Sequence, residues 1–133
     1  MKPKKKSRQM SIKSRGFTEI EEAVAQVLDA DYGDPSDAES ALDSLASALH
    51  KHILVGELDV FWNSVPDIYE VVSEIDDKFG LSTALLDAAA ELRNFAADSY
   101  REEYEEEEIE EVASAAGVFC RCLNQFLSRA TIV

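Results

Sequence analysis

The sequence predicts an all-α domain, a compact bundle of five or six helices with a flexible basic arm at its N-terminus. Three observations predict it. Apolar residues recur at helical spacing through most of the chain. Capping residues, glycines and prolines punctuate those runs. No hairpin signal such as Asn-Gly lies between alternating runs. At 133 residues and 46% apolar content, the chain suits one domain with its own core.

The arm is residues 1–16, and residues 17–133 read as a single acidic domain. Residues 1–15, "MKPKKKSRQMSIKSR", hold seven bases and no acid. Lys4, Lys5, Lys6 and Arg8 are their densest group. This stretch has little to bury, so a flexible tail closed by Gly16 is expected.

The first helix is expected to start at Thr18, with Glu21 three residues on completing a capping box. Its face is Ile20, Val24, Val27 and Leu28, and it should end near Ala30. Asp34-Pro35 opens the second, with a capping box from Ser36 to Glu39. Ala38, Leu42, Leu45, Leu49 and Ile53 form its face, and Gly56 is a plausible stop. "ELDVFWNSVP" suits a short helix ended before Pro66. Residues 53–55 also suit a strand, without an evident partner. Phe61 and Trp62 fit the core better than a partner site.

Pro66 marks the start of the next helix, whose face is Ile68, Val71, Val72, Ile75 and Phe79 and whose stop is Gly80. Ser82 is the expected N-cap of a helix carrying Leu85, Ala89, Leu92 and Ala96, with Phe95 beside them. The last helix runs from about Glu106 to Ser128, along Ile109, Val112, Ala116, Phe119, Leu123 and Phe126.

Charge is the chain's most distinctive property. The net value is −14, and the seven bases of residues 1–15 leave six bases against 27 acids, a body near −21. Such a body repels nucleic acid and anionic membranes and attracts basic surfaces. The densest stretch is "YREEYEEEEIEE", residues 100–111, with eight glutamates. The apolar stripes of both flanking helices give out there, so a turn between two helices is expected. One helix over 82–128 would be about 70 Å long. In helical form the run carries about one charge per 2 Å, close to the density of duplex DNA. Tyr100 and Tyr104 add contact area with hydroxyl handles. The candidate partner-binding residues are therefore Tyr100, Glu103, Tyr104, Glu106, Glu107 and Glu110. Asp29, Asp31, Asp34 and Asp37 form a second acidic cluster, and Asp76-Asp77 a pair. The bland reading is a solvated helix face.

Other chemistry finds little support. His50 and His52 diverge at i, i+2, whereas ligands on one helix face sit at i, i+3 or i+4. A helix-end histidine facing carbonyls is the better reading. The Asp29–Glu39 stretch misses the calcium-loop pattern at its fifth and sixth positions. There is no phosphate loop and no nucleophile elbow. The expectation is a chain that is not an enzyme, with no catalytic residue, metal or cofactor. Cys120 and Cys122 diverge at i, i+2, and two such thiols suggest a reducing, cytoplasmic setting. No apolar run reaches membrane-spanning length, and no signal peptide is evident.

In size and charge the chain resembles small acidic all-α inhibitors, such as phage anti-defence proteins, antitoxins and immunity proteins. That resemblance implies a basic partner, a nuclease or another nucleic-acid-binding protein, whose site is covered by a nucleic-acid mimic. Two other readings stand beside it. One is a structural or assembly protein that oligomerises, as a homodimer for instance, through its Ile109–Phe126 face or the apolar "FLSRATIV". The other is weak nucleic-acid binding through the arm.

Overall fold

The computed structural model describes residues 10–54, 67–97 and 105–133. Five helices and one two-stranded ladder lie among them: β1 (Ser11–Ile12), α1 (Ser14–Asp29), α2 (Pro35–His52), α3 (Ile68–Phe79), α4 (Thr83–Ala97), α5 (Glu106–Leu127) and β2 (Thr131–Ile132). The chain is an all-α bundle. The described residues include no helix long and apolar enough to cross a membrane.

Most of the predicted faces form the core, but Leu28 of α1 is 52% exposed and Ile53, Phe79 and Ile109 are only partly buried. Ile20, Val24 and Val27 of α1, Leu42, Leu45 and Leu49 of α2, and Val71, Val72 and Ile75 of α3 are buried. So are Leu85, Ala89 and Leu92 of α4, and Val112, Ala116, Phe119, Leu123 and Phe126 of α5. Helix α4 packs on α5 and α1 on α2, with α3 against α2 and α4. Helices α1 and α5 run antiparallel: Ser14 meets Val133, Cys120 meets Val24, and Gly33 meets Ile109.

Residues 10–16 do not belong to a loose arm. Met10 and Ile12 are buried, and β1 pairs in parallel with β2, Ser11 beside Thr131 and Ile12 beside Ile132. Gly16 does not close a tail but lies in the first turn of α1, which starts at Ser14. The Thr18–Glu21 capping box is therefore not the start of α1. The first free amide is met from afar instead, as Ser14 N donates to Val133 O at 3.0 Å. Thr18 Oγ1 turns back within the helix and donates to Ser14 O.

Helix α2 is capped by Asp34, whose carboxylate accepts from Ser36 N, with Pro35 in the first turn. Ser36 is thus inside the helix and is not its cap. Residues 53 and 54 form no strand, and Leu54 is buried. Gly56, Phe61, Trp62 and Pro66 lie outside the described residues. Asp67 and Glu70 form a full capping box on α3, Glu70 N to Asp67 Oδ1 at 2.9 Å and Asp67 N to Glu70 Oε1 at 3.2 Å. Gly80 ends α3 at φ 82°, a left-handed conformation that costs glycine nothing. The Asp76 carboxylate accepts from Leu81 N at 2.7 Å, which fixes the same turn. Ser82 caps α4 as expected, accepting from Leu85 N.

Candidate functional site

The residues proposed for partner binding fall into two groups. Tyr100, Glu103 and Tyr104 lie outside the described residues, as do Lys4, Lys5, Lys6 and Arg8 of the arm. Glu106, Glu107 and Glu110 are exposed on the first turns of α5. α4 ends at Ala97 and α5 begins after Glu105, so two separate helices flank the acidic stretch.

The run divides by role. Glu105 is the N-cap of α5, and its amide donates to the Glu108 carboxylate at 3.0 Å. This is the return bond of a capping box, so Glu105 and Glu108 start the helix. Glu106, Glu107, Glu110 and Glu111 project to solvent. All of them sit in the first turns of α5, near the positive end of its dipole.

A second acidic segment meets this one. A β-carbon on Gly33 would stand 3.8 Å from Ile109 Cδ1. The α1–α2 loop therefore lies against the second turn of α5, and Asp31, Asp34 and Asp37 join the glutamates at one end of the bundle. The spacing along the chain gives no hint of this. Local bonds shape the loop: Asp31 Oδ1 accepts from Gly33 N, and Asp37 Oδ2 accepts from Asp31 N at 2.7 Å. Tyr32 is buried beneath it, donating to Val27 O at 2.7 Å with its ring edge-on to Phe95. Burial, with the nearby Cys120 and Asp37, holds the Tyr32 phenol well above its ordinary value, so it remains a donor.

In the Asp76-Asp77 pair, the Asp76 carboxylate closes α3 through a local backbone bond, as those of Asp31, Asp34 and Asp37 shape their own loop. His52 also departs from expectation. Its Nε2 meets the Glu19 carboxylate at 2.8 Å across the α1–α2 interface, in place of helix-end carbonyls. Among the described residues, no group of three His, Cys, Asp or Glu side chains could hold a metal ion. A cavity of about 410 Å³ lies near the opposite end, lined by Ser82, Leu85, Cys122, Gln125, Phe126 and Arg129 among others. Among the described residues, no carboxylate or imidazole lines it.

The Ile109–Phe126 stripe, expected as one route to self-assembly, is turned inward. Val112, Phe119, Leu123 and Phe126 are buried against the chain's own helices. The backbone of the C-terminal "FLSRATIV" is also engaged, through β2.

Comparison with protein-family models, with curated proteins and with solved structures finds no match for the chain.

Proposed function

We propose that the acidic end of the bundle binds a basic, nucleic-acid-handling protein and occludes its active or binding surface. The observation that carries this reading is the seat of Gly33 against Ile109, which merges Asp31, Asp34 and Asp37 with Glu106, Glu107 and Glu110. Two acidic segments, distant in sequence, then present one field to a partner. A field of one sign raises the rate of encounter with a surface of the other. The tyrosines at 100 and 104 would set the lifetime of the complex, in which affinity differences mostly reside. The chain would act by occupancy, as an inhibitor or immunity-type protein, without chemistry of its own.

The test is capture from source-cell lysate at low and high salt. The intact chain is compared with a variant carrying glutamine at Glu103, Glu106, Glu107 and Glu110. Glu105 and Glu108 are left in place because they cap α5. Salt-sensitive recovery of one basic protein by the intact chain alone supports the reading. Equal recovery by both forms means that the run is only a solvated face.

A further inference from the structure

The outer face of α5 carries a pattern that the core does not use. Glu106, Glu110, Ala113, Gly117, Arg121 and Asn124 fall within one narrow sector at 100° per residue, beside the buried stripe on the side next to α1. Its middle is bare, since a β-carbon added at Gly117 would meet nothing within 4 Å. Leu28 flanks it from α1 and is 52% exposed, the largest apolar exposure on the described helices. The charge on this sector is polarised. All five acids of α5 precede Val112, and its one base is Arg121 in the second half. Among the described residues, neither Glu110 nor Arg121 forms an ion pair.

Bases also gather at the far end of the α1–α5 pair, although Glu19, Glu21 and Glu22 of α1 lie in that half too. Asp29, Asp31 and Asp34 lie at the glutamate end of α5. Lys13 and Arg15 flank Ser14, which is bonded to Val133, and Arg129 lies in the preceding turn.

We propose that this face is an interface with a second copy of the chain, the two α5 helices crossing antiparallel about a two-fold axis. Two-fold pairing is reciprocal, so each contact occurs twice. Setting Glu110 against Arg121 of the second copy places Ser114 opposite Gly117 at the crossing. Small residues there let two backbones approach, and Leu28 of each chain covers the flank. A parallel pair would set glutamate against glutamate. In this register the antiparallel pair holds the glutamates of the two α5 helices about 14–29 Å apart along the axis, beyond the ~8 Å screening length of physiological salt. The charge that opposes self-association in general thus selects this orientation. The interface takes Glu110 out of the acidic end and leaves Asp31, Asp34, Asp37 and Glu107 exposed there for the basic partner.

Sedimentation equilibrium of the full chain tests the proposal. The chain should dimerise, and Glu110→Arg or Arg121→Glu alone should weaken the dimer by about tenfold or more, since each puts two like-charged contacts across the axis. The double swap, E110R with R121E, should restore it. Both side chains are exposed, and circular dichroism of each variant checks that the helices are kept. A monomer at every concentration, a dimer indifferent to the single changes, or a double swap no better than either single would each overturn the proposal. Arg121→Glu separates this inference from the proposed function. Loss of the dimer with partner capture retained leaves both standing. A monomeric wild-type chain that captures the basic protein overturns this one alone.

Discussion

Gly16 lies so close to the imidazole of His52 that a β-carbon there would stand 2.6 Å from Nδ1 and 2.7 Å from Cγ. The glycine is what lets α1 and α2 meet at this height. It also sets the ring where Nε2 reaches Glu19, one turn along α1.

Gly16→Ala should therefore destabilise the fold, although alanine is the better helix former. The gain in propensity is about 1 kcal/mol. The overlap falls on the root of the ring, at Cγ and Nδ1, which cannot swing away as a free tip could, and forced overpacking costs about 1–3 kcal/mol. A net loss of about 1 kcal/mol is expected in urea unfolding. Adding His52→Ala should recover part of that loss, because the two residues are in contact and their effects couple. Simple additivity of the two changes would refute the contact.

Tyr32→Phe removes a donor and leaves the shape. The hydroxyl donates to Val27 O, a carbonyl in the last turn of α1, within a buried site. The expected cost is about 1 kcal/mol, typical of one buried hydrogen bond. The loop above carries Asp31 and Asp34, so amide exchange at Gly33 and Ser36 should quicken in the same variant. Unchanged exchange would mean that the tyrosine does not anchor the loop.

The two thiols should differ in reactivity. Burial pushes the Cys120 thiol up to about 12, while Cys122 is half-buried beside the cavity. At pH 8 a thiol of that kind is only about one part in ten thousand thiolate, and the thiolate is the reactive form. Native protein should react with one equivalent of a thiol reagent, and unfolded protein with two. Cys122→Ser should abolish the fast equivalent. Fast reaction in that variant would show that Cys120 is reached in the folded state.

Two carboxylates should tilt stability against pH in opposite senses. The His52 hydrogen bond, with Lys51 assisting, holds the Glu19 carboxyl below its ordinary value. Its contribution is present above the ordinary carboxylate range and fades as the pH falls through the lowered value. Glu19→Gln should cost most near neutrality and least in acid. Asp43 is raised, chiefly by burial and then by Glu39 and Asp67. Its ionisation opposes folding once the pH rises through the carboxylate range. Asp43→Asn should thus stabilise the chain near neutral pH and lose that advantage in acid. Denaturation midpoints at two pH values, for both variants, read the two signs directly.

The elements that repeat at helical spacing were legible because burial itself imposes the period. What escaped was non-local. The true start of α1 is hidden from the sequence because its amide acceptor is Val133, at the far end of the chain. The strand β1 escaped for the same reason, as two residues have no periodicity and their partner is distant. Leu28 has the right phase for the core yet stays exposed, because the groove it faces contains Gly117 and lacks a side chain to cover it. The glutamate run was visible, but its division was not. Glu105 and Glu108 have capping-box spacing, which four consecutive glutamates disguise. The approach of Asp31 to that run is tertiary, set by Ile109 beneath Gly33.

The pairing of Ser11 with Thr131 closes a loop of about 120 residues, nearly the full circuit of the domain. The leading amide of α1 finds its acceptor about 120 residues further along, so no local contact can supply it. Helix α1 can dock on α2 from contacts near in sequence, but its first amide stays open to water until residues 131–133 have folded back beside it. The ladder is therefore a clasp that closes over helices already packed.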